Sequence, residues 1–282
     1  MRFGIVPREW GDFTSEAVEQ AKLAEKLGFH SVWVEEHHGS DDSIPSPLTA
    51  LAGLSQHVPS MCVGTAVAIL PLYHPVRFAS DAAVLDVLSR GKFTAGVAVG
   101  YSESEFQLFG MSLQERGERM EEALEIVRSL WEGKRLFYSG KYYRVEGFEL
   151  KPRPLQTPRP PIWVGGWKRK AIERAARLGD RWFPGPVATF SYVREARKSY
   201  LEALRRLGKE FKGFPLMRDT YIAPSEEQAL RDIEKPVMHM YAEGYARSGH
   251  PLLAGHGSTL EDWVQDRFLL GTPSHAIELI SQ

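Results

Sequence analysis

The run Glu35-Glu36-His37-His38 places four ionisable side chains in a row, directly after the apolar stretch Val32-Trp33-Val34. A histidine among carboxylates can trade a proton near neutral pH, so Glu36, His37 and His38 are candidate proton-transfer groups. The same residues also read as a polar loop with one histidine capping a helix. A metal site fits less well. The pattern is not His-Glu-x-x-His, and neighbours on an extended chain point to opposite faces, which places His37 and His38 badly for holding one ion. Three other segments invite a ligand. In Gly64-Thr65-Ala66-Val67, small side chains let a flat ring approach the backbone, although they equally suit a buried strand. In Val99-Gly100-Tyr101-Ser102-Glu103, Gly100 permits a tight turn and Tyr101 offers a ring and a hydroxyl; an ordinary strand-to-helix turn would look the same. In Gly165-Gly166-Trp167-Lys168-Arg169, two glycines precede a predicted helix whose first turn carries cations. Backbone N–H groups, the positive helix end and the cations together suit a phosphate, and an anion there would relieve the conflict between cations and dipole.

Each of these segments leaves a strand-like run. The predicted strands are Phe3–Val6, Ser31–Glu35, Met61–Leu70, Phe93–Val99, Ile162–Val164, Asp180–Phe183 and Leu216–Ala223, separated by segments of helical periodicity, the longest over Leu113–Trp131. Repeated β-then-α implies a parallel sheet covered by helices. No Gly-x-Gly-x-x-Gly follows the first strand, which favours a TIM (β/α)₈-type barrel over an open dinucleotide-binding sheet. Barrel chemistry comes from the C-terminal ends of strands, which selects the same four places. The run Pro152–Pro161 holds five prolines and is expected to be a surface excursion. Met238–Asp266 fits no βα unit. It reads as an insertion above the barrel mouth, within a lid at about residues 230–268, whose Tyr241, Tyr245, His250 and His256 either line a pocket or form a solvated loop. The whole, residues 1–282, is expected to be one domain.

Composition excludes other classes. Of 282 residues, 43% are hydrophobic and 25% charged, with a net charge of −1, so no basic excess points to nucleic acid or an acidic membrane. The apolar run Met61–Leu72 is too short to span a bilayer, and Arg2 is followed by no signal-peptide core. The single Cys62 excludes an internal disulfide and any Cys-based zinc site. A cytoplasmic enzyme or binding protein is expected.

The sequence resembles the bacterial luciferase-like, flavin-dependent monooxygenases. The matching segments are Val32 to His38; Val63-Gly64-Thr65-Ala66-Val67 with Leu70-Pro71 and His74-Pro75-Val76-Arg77; Leu85-Asp86-x-Leu88-Ser89-x-Gly91-Lys92; Glu105-Phe106 with Phe109-Gly110; Arg116 to Trp131; Pro160 to Gly166; and Gly271-Thr272-Pro273. Each is loose alone, but they occur in order over nearly the whole chain.

The resemblance implies a barrel that binds reduced FMN, or 8-hydroxy-5-deazaflavin in a second branch, at its C-terminal mouth. Glu-His-His after strand two tilts the expectation to FMN, with His37 catalytic. It also implies a non-proline cis peptide at Ala66-Val67 beneath the flavin ring and a phosphate-binding turn from Gly165 to Arg169. Thr65, Ala66, Val67, Gly100, Tyr101, Gly165, Gly166, Trp167, Lys168 and Arg169 are thus the expected cofactor contacts, and Glu36, His37, Ala66, Tyr101 and Trp167 are expected to share one pocket. The implied reaction uses reduced flavin and oxygen on an aldehyde, ketone or similar small organic substrate. A separate flavin reductase, and a homodimer, are the expected partners. Deazaflavin-dependent hydride transfer and inactive flavin binding are the alternatives. Two features depart from the family. The position of the reactive cysteine of luciferase is Ala98, and no eighth strand is evident before Gln282.

Overall fold

The computed structural model describes residues 1–7, 15–39, 44–253 and 259–281. They form two compact units: residues 1–100, 105–165 and 178–181 in the first, and 101–104, 166–177 and 182–282 in the second.

The first unit is built on a parallel sheet. Its strands are β1 (Gly4–Ile5), β2 (Ser31–Val34), β3 (Cys62–Thr65), β4 (Ala68–Ile69), β5 (Phe93–Ala98) and, after the antiparallel hairpin β6 (Leu136–Ser139) and β7 (Arg144–Phe148), β8 (Ile162–Gly165). The order is β1-β2-β3-β5-β8, with β4 also paired to β5, and the sheet ends on β9 (Arg181–Phe183). Between the strands lie α1 (Glu16–Lys26), α2 (Pro47–His57), α3 (Pro75–Leu88), α4 (Glu103–Leu108) and α5 (Arg116–Trp131). Val32, Val34, Val63, Phe93, Ala95, Val97, Ile162 and Val164 are buried, which is why these strands read as continuous apolar runs rather than alternating ones. Gly64 has a packing role. It sits opposite Trp33 in register, and a Cβ there would collide with the Trp33 ring, which stacks on Trp163 at 4.9 Å. The space at Gly64 is therefore taken by an indole of the chain itself.

The motif Leu85-Asp86-x-Leu88-Ser89 has a structural explanation. Asp86 is buried at the end of α3, and its carboxylate accepts from Leu155 N–H (2.7 Å), Gln156 N–H (3.1 Å), Gln156 Nε2 (2.7 Å) and Phe93 N–H (3.4 Å). One side chain thus ties the Pro-rich run to the start of β5. The hairpin β6–β7 went unforeseen because its turn, Gly140-Lys141-Tyr142, lacks the usual two-residue signal. Glu122 on α5 holds that turn instead, accepting from the Lys141 and Tyr142 N–H groups at 2.8 and 3.1 Å.

The second unit contains α6 (Arg169–Leu178), α7 (Phe190–Arg206), β10 (Thr220–Ile222), α8 (Glu226–Val237), α9 (Leu260–Val264), β11 (Leu269–Gly271) and α10 (Pro273–Ser281). The strands β10 and β11 pair in parallel as a two-stranded sheet. The parallel strand β11 was not evident in the sequence: it is three residues long and runs straight into Gly271-Thr272-Pro273, so no apolar run announces it. Residues Met238–Ala246 prolong α8 as a π-helix. Tyr241, Leu253, Trp263 and Phe268 are core residues of this unit, so Tyr241 neither lines an open pocket nor lies in a solvated loop. His256 lies outside the described residues. The βα order and parallel pairing are those of a TIM-barrel-type fold, with the larger sheet an incomplete, curled barrel wall. Among the described residues no helix is long and apolar enough to cross a membrane.

Candidate active site

In the first unit, β2, β3 and β5 are parallel neighbours, so residues 35–38, 66–69 and 99–100 leave the same edge of one sheet. The Ala66 N–H donates to the Val34 carbonyl at 2.8 Å, joining the first two exits. The Ala66–Val67 peptide is cis, as the resemblance implies. Thr65 is buried, and its hydroxyl donates to the Gly96 carbonyl at 2.6 Å. Gly100 has φ of 74°, and a Cβ would stand 2.8 Å from Ile69 Cγ2 and 3.0 Å from Phe106 Cε2. Both the turn and the close approach demand glycine there.

The acidic and imidazole groups form two linked pairs. Buried Glu36 places Oε1 2.9 Å from His38 Nε2, and its Oε2 accepts the Ile69 N–H at 2.8 Å. The Tyr73 hydroxyl also bonds this carboxylate; burial first, then the Glu36 charge and hydrogen bond, drive the Tyr73 pKa far up. With those partners Glu36 acts as a clamp between the two strand exits. The His38 ring meets Phe109 edge-on at 4.9 Å. Glu105, on α4, makes the second pair. Its Oε1 accepts the His38 backbone N–H at 3.0 Å and lies 3.4 Å from His37 Nδ1. Glu105 belongs to the segment Glu105-Phe106 that carries the resemblance, but its place in the sequence assigns it no role. Nothing in the spacing shows that a carboxylate 68 positions away returns to His37.

Burial pushes the His37 pKa down, but the Glu105 hydrogen bond and the charges of Glu35, Glu105 and Glu36 outweigh it, and the net shift is upward from 6.5. A raised histidine pKa means that the pair contributes its full stability below pH 6.5 and loses it as pH rises through the folded value. Replacing Glu105 by Gln removes both the acceptor charge and its hydrogen bond. The His37 ring signals, followed by NMR against pH, are therefore expected to titrate at a lower pH in Glu105→Gln than in the parent. An unchanged midpoint would show that Glu35 and Glu36 alone set the shift.

The remaining candidates divide between the units. Gly165 ends β8 in the first. In the second, a Cβ on Gly166 would strike the Ala171 side chain, so this glycine serves the close packing of the helix start, and its carbonyl accepts Trp182 Nε1–H at 2.8 Å. The Lys168 carbonyl accepts the N–H groups of Ala171 and Ile172 at 2.8 and 3.1 Å, which makes Lys168 the residue from which α6 starts. Its side chain is exposed. Arg169 donates from Nε to Glu173 at 3.2 Å, so part of the expected conflict between cations and helix dipole is met within the helix itself. The Trp167 carbonyl accepts the Tyr192 hydroxyl, and the Trp167 ring lies against Gly185. Buried His250 gathers Tyr101 at 4.8 Å, Trp167 at 5.7 Å and Tyr245 at 5.8 Å, all edge-on. Thus Glu36, His37, His38 and Ala66 are brought together in one unit, and Tyr101 and Trp167 in the other.

This arrangement can be compared with known proteins. The oxygenase component of a flavin-dependent trigonelline monooxygenase from Acinetobacter baylyi is 28% identical over 219 residues, covering 76% of this chain and 61% of that protein. An FMNH2-dependent dimethylsulfone monooxygenase from Pseudomonas fluorescens is 27% identical over 310 residues, covering 96% and 79%. An F420-dependent glucose-6-phosphate dehydrogenase from Microbacterium testaceum is 31% identical over 190 residues, covering 64% and 55%. The chain spans 48–61% of the length of the first curated relatives it matches. Among solved structures, the monooxygenase RslO1 from Streptomyces bottropensis superposes with a TM-score of 0.82 at 25% identity, over 100% of this chain and 88% of that one. The sequence profile described as luciferase-like monooxygenase matches residues 9–282, and the chain belongs to that family.

Proposed function

We propose that the protein is an FMN-dependent monooxygenase, the oxygenase half of a two-component system in which a separate reductase supplies reduced FMN. Its substrate would be an aldehyde, ketone or similar small organic molecule. The observation that carries this reading is the His37–Glu105 pair at the exit of β2, beside the small residues at the exits of β3 and β5. The residues fit a flavin. Ala66 and Val67 are partly exposed at the exit of β3 and offer a face without bulk. In the first unit the ring contacts we assign are Thr65, Ala66, Val67 and Gly100, and Gly165 ends β8; in the second, taken by itself, Tyr101 is a ring contact and the turn Gly166, Trp167, Lys168 and Arg169 is assigned to the phosphate.

Bound reduced FMN supplies the electrons that activate oxygen. The chain supplies proton handling and position. Glu105 Oε1, 3.4 Å from Nδ1, positions the His37 ring as the group that takes up and releases a proton. Glu36 holds the His38 ring and the Ile69 N–H, and so keeps the exits of β2 and β4 in place.

Calorimetry with reduced FMN, oxidised FMN and 8-hydroxy-5-deazaflavin, paired with oxygen-uptake assays on candidate carbonyls, tests this reading. Preference for reduced FMN with substrate-dependent oxygen uptake supports it. Preference for the deazaflavin without oxygen uptake would transfer the chain to hydride transfer, and flavin binding with no turnover would make it a binding protein.

The phosphate assignment has its own test. Replacing Lys168 and Arg169 by Ala is expected to weaken FMN about tenfold, since one charge-assisted hydrogen bond contributes ~1.5 kcal/mol or more. Riboflavin, which lacks the phosphate, should be nearly unaffected. Most of the loss should come from Lys168, because Arg169 is engaged by Glu173. Equal weakening of both ligands would show that the cations serve the fold.

A further inference from the structure

The second unit holds an arginine whose hydrogen-bonding edge is unused. Arg218 stands two residues before β10, and its Nη1 donates to the Met217 carbonyl at 3.0 Å. Its guanidinium lies over the Phe190 ring at 4.2 Å, which fixes the plane. Nε and Nη2 are buried and have no hydrogen-bond partner among the described residues. These two atoms form one side of the guanidinium, the side that grips an oxyanion with two parallel N–H···O bonds.

The neighbouring carboxylates are engaged elsewhere. Asp219 accepts the Tyr241 hydroxyl at 2.6 Å, and Asp266 accepts the Ser191 N–H at 2.9 Å and caps α7. A second buried cation, Arg267, donates to the carbonyls of Val187 and Asp262 at 2.9 and 2.7 Å. Burial lowers the Arg218 pKa to about 10, with Asp219 and Asp266 acting against it, so the group is a cation at neutral pH. A buried guanidinium with two idle donors is a costly arrangement that a bound anion relieves.

We propose that the Nε–Nη2 edge of Arg218 is an oxyanion site of the second unit, for a small organic or inorganic anion bearing a carboxylate, sulfonate or phosphate. The site is tested without flavin or turnover. The full chain would be titrated with acetate, methanesulfonate and inorganic phosphate at constant ionic strength, following its Arg Nε–H NMR signals. A saturable shift of the signal that disappears in Arg218→Lys is expected for at least one of the three. Arg218→Lys and Arg218→Gln should both weaken that anion about tenfold or more, because lysine keeps the charge but not the two-pronged edge. Absence of a saturable shift, or an affinity unchanged in both variants, overturns the site. A parallel comparison of FMN with riboflavin identifies the source. An unchanged ratio in Arg218→Lys keeps the site separate from the flavin phosphate, whereas selective loss of FMN would assign the edge to that phosphate and overturn a separate anion site.

Discussion

His37→Ala is expected to lower turnover by about 10²–10⁴-fold while leaving flavin affinity close to that of the parent, which is the usual contribution of a positioned proton-transfer group. The size of the effect follows from where the ring is held. Glu105 lies 3.4 Å from Nδ1, and the surrounding carboxylates raise the pKa, so His37 carries a proton further into the neutral range than a free imidazole does. Alanine removes both the proton and the ring. His38→Ala should cost less in turnover, because the His38 Nε2 is occupied by Glu36 at 2.9 Å. Glu105→Gln should move the pH dependence of turnover, because it lowers the pKa that the pair had raised. Measuring turnover by oxygen uptake and flavin affinity by calorimetry separates these effects. An alanine variant at His37 that turned over like the parent would remove the catalytic assignment, and one that lost flavin affinity instead would make His37 a binding residue.

Much of this arrangement was legible from the chain. The βα alternation and the position of Glu-His-His after Val32-Trp33-Val34 located the exits of the strands, because buried parallel strands declare themselves as short apolar runs. What was hidden depends on distance along the chain. Glu105 reaches His37 from α4, Tyr73 reaches Glu36 from beyond β4, and neither approach leaves a trace in local spacing. The small residues misled in part: Gly64 accommodates Trp33 and Gly166 accommodates Ala171, whereas Gly100 does meet the demand of an unusual backbone angle. The hairpin β6–β7 and the strand β11 escaped because their stability comes from Glu122 and from pairing with β10, not from propensity. In the region expected to be a lid, aromatic residues looked the same whether packed or exposed, and Tyr241 proved to be core.

Asp86→Ala is expected to lower stability by about 3 kcal/mol. The carboxylate serves donors from two directions. Oδ2 takes the Leu155 and Gln156 N–H groups, and Oδ1 takes Gln156 Nε2 and the more distant Phe93 N–H. Alanine leaves these donors facing a gap, which water can reach from the side of the exposed Leu155. Asp86→Asn keeps the shape but turns an NH2 group toward at least one N–H, so it should recover only part of the loss. For a chain of this size ~3 kcal/mol corresponds to a fall in Tm of roughly 6–12 °C. The consequence extends to the site. The Pro-rich run held by Asp86 feeds β8, which pairs with β5 and ends at Gly165, so the register of two strand exits depends on a residue that touches no ligand. Flavin affinity measured well below the lowered Tm should stay near that of the parent, while the temperature at which binding is lost should fall with Tm. A Tm within 2 °C of the parent, judged against the ~1 kcal/mol typical of a single mutation, would mean that the prolines hold this run in place without the carboxylate.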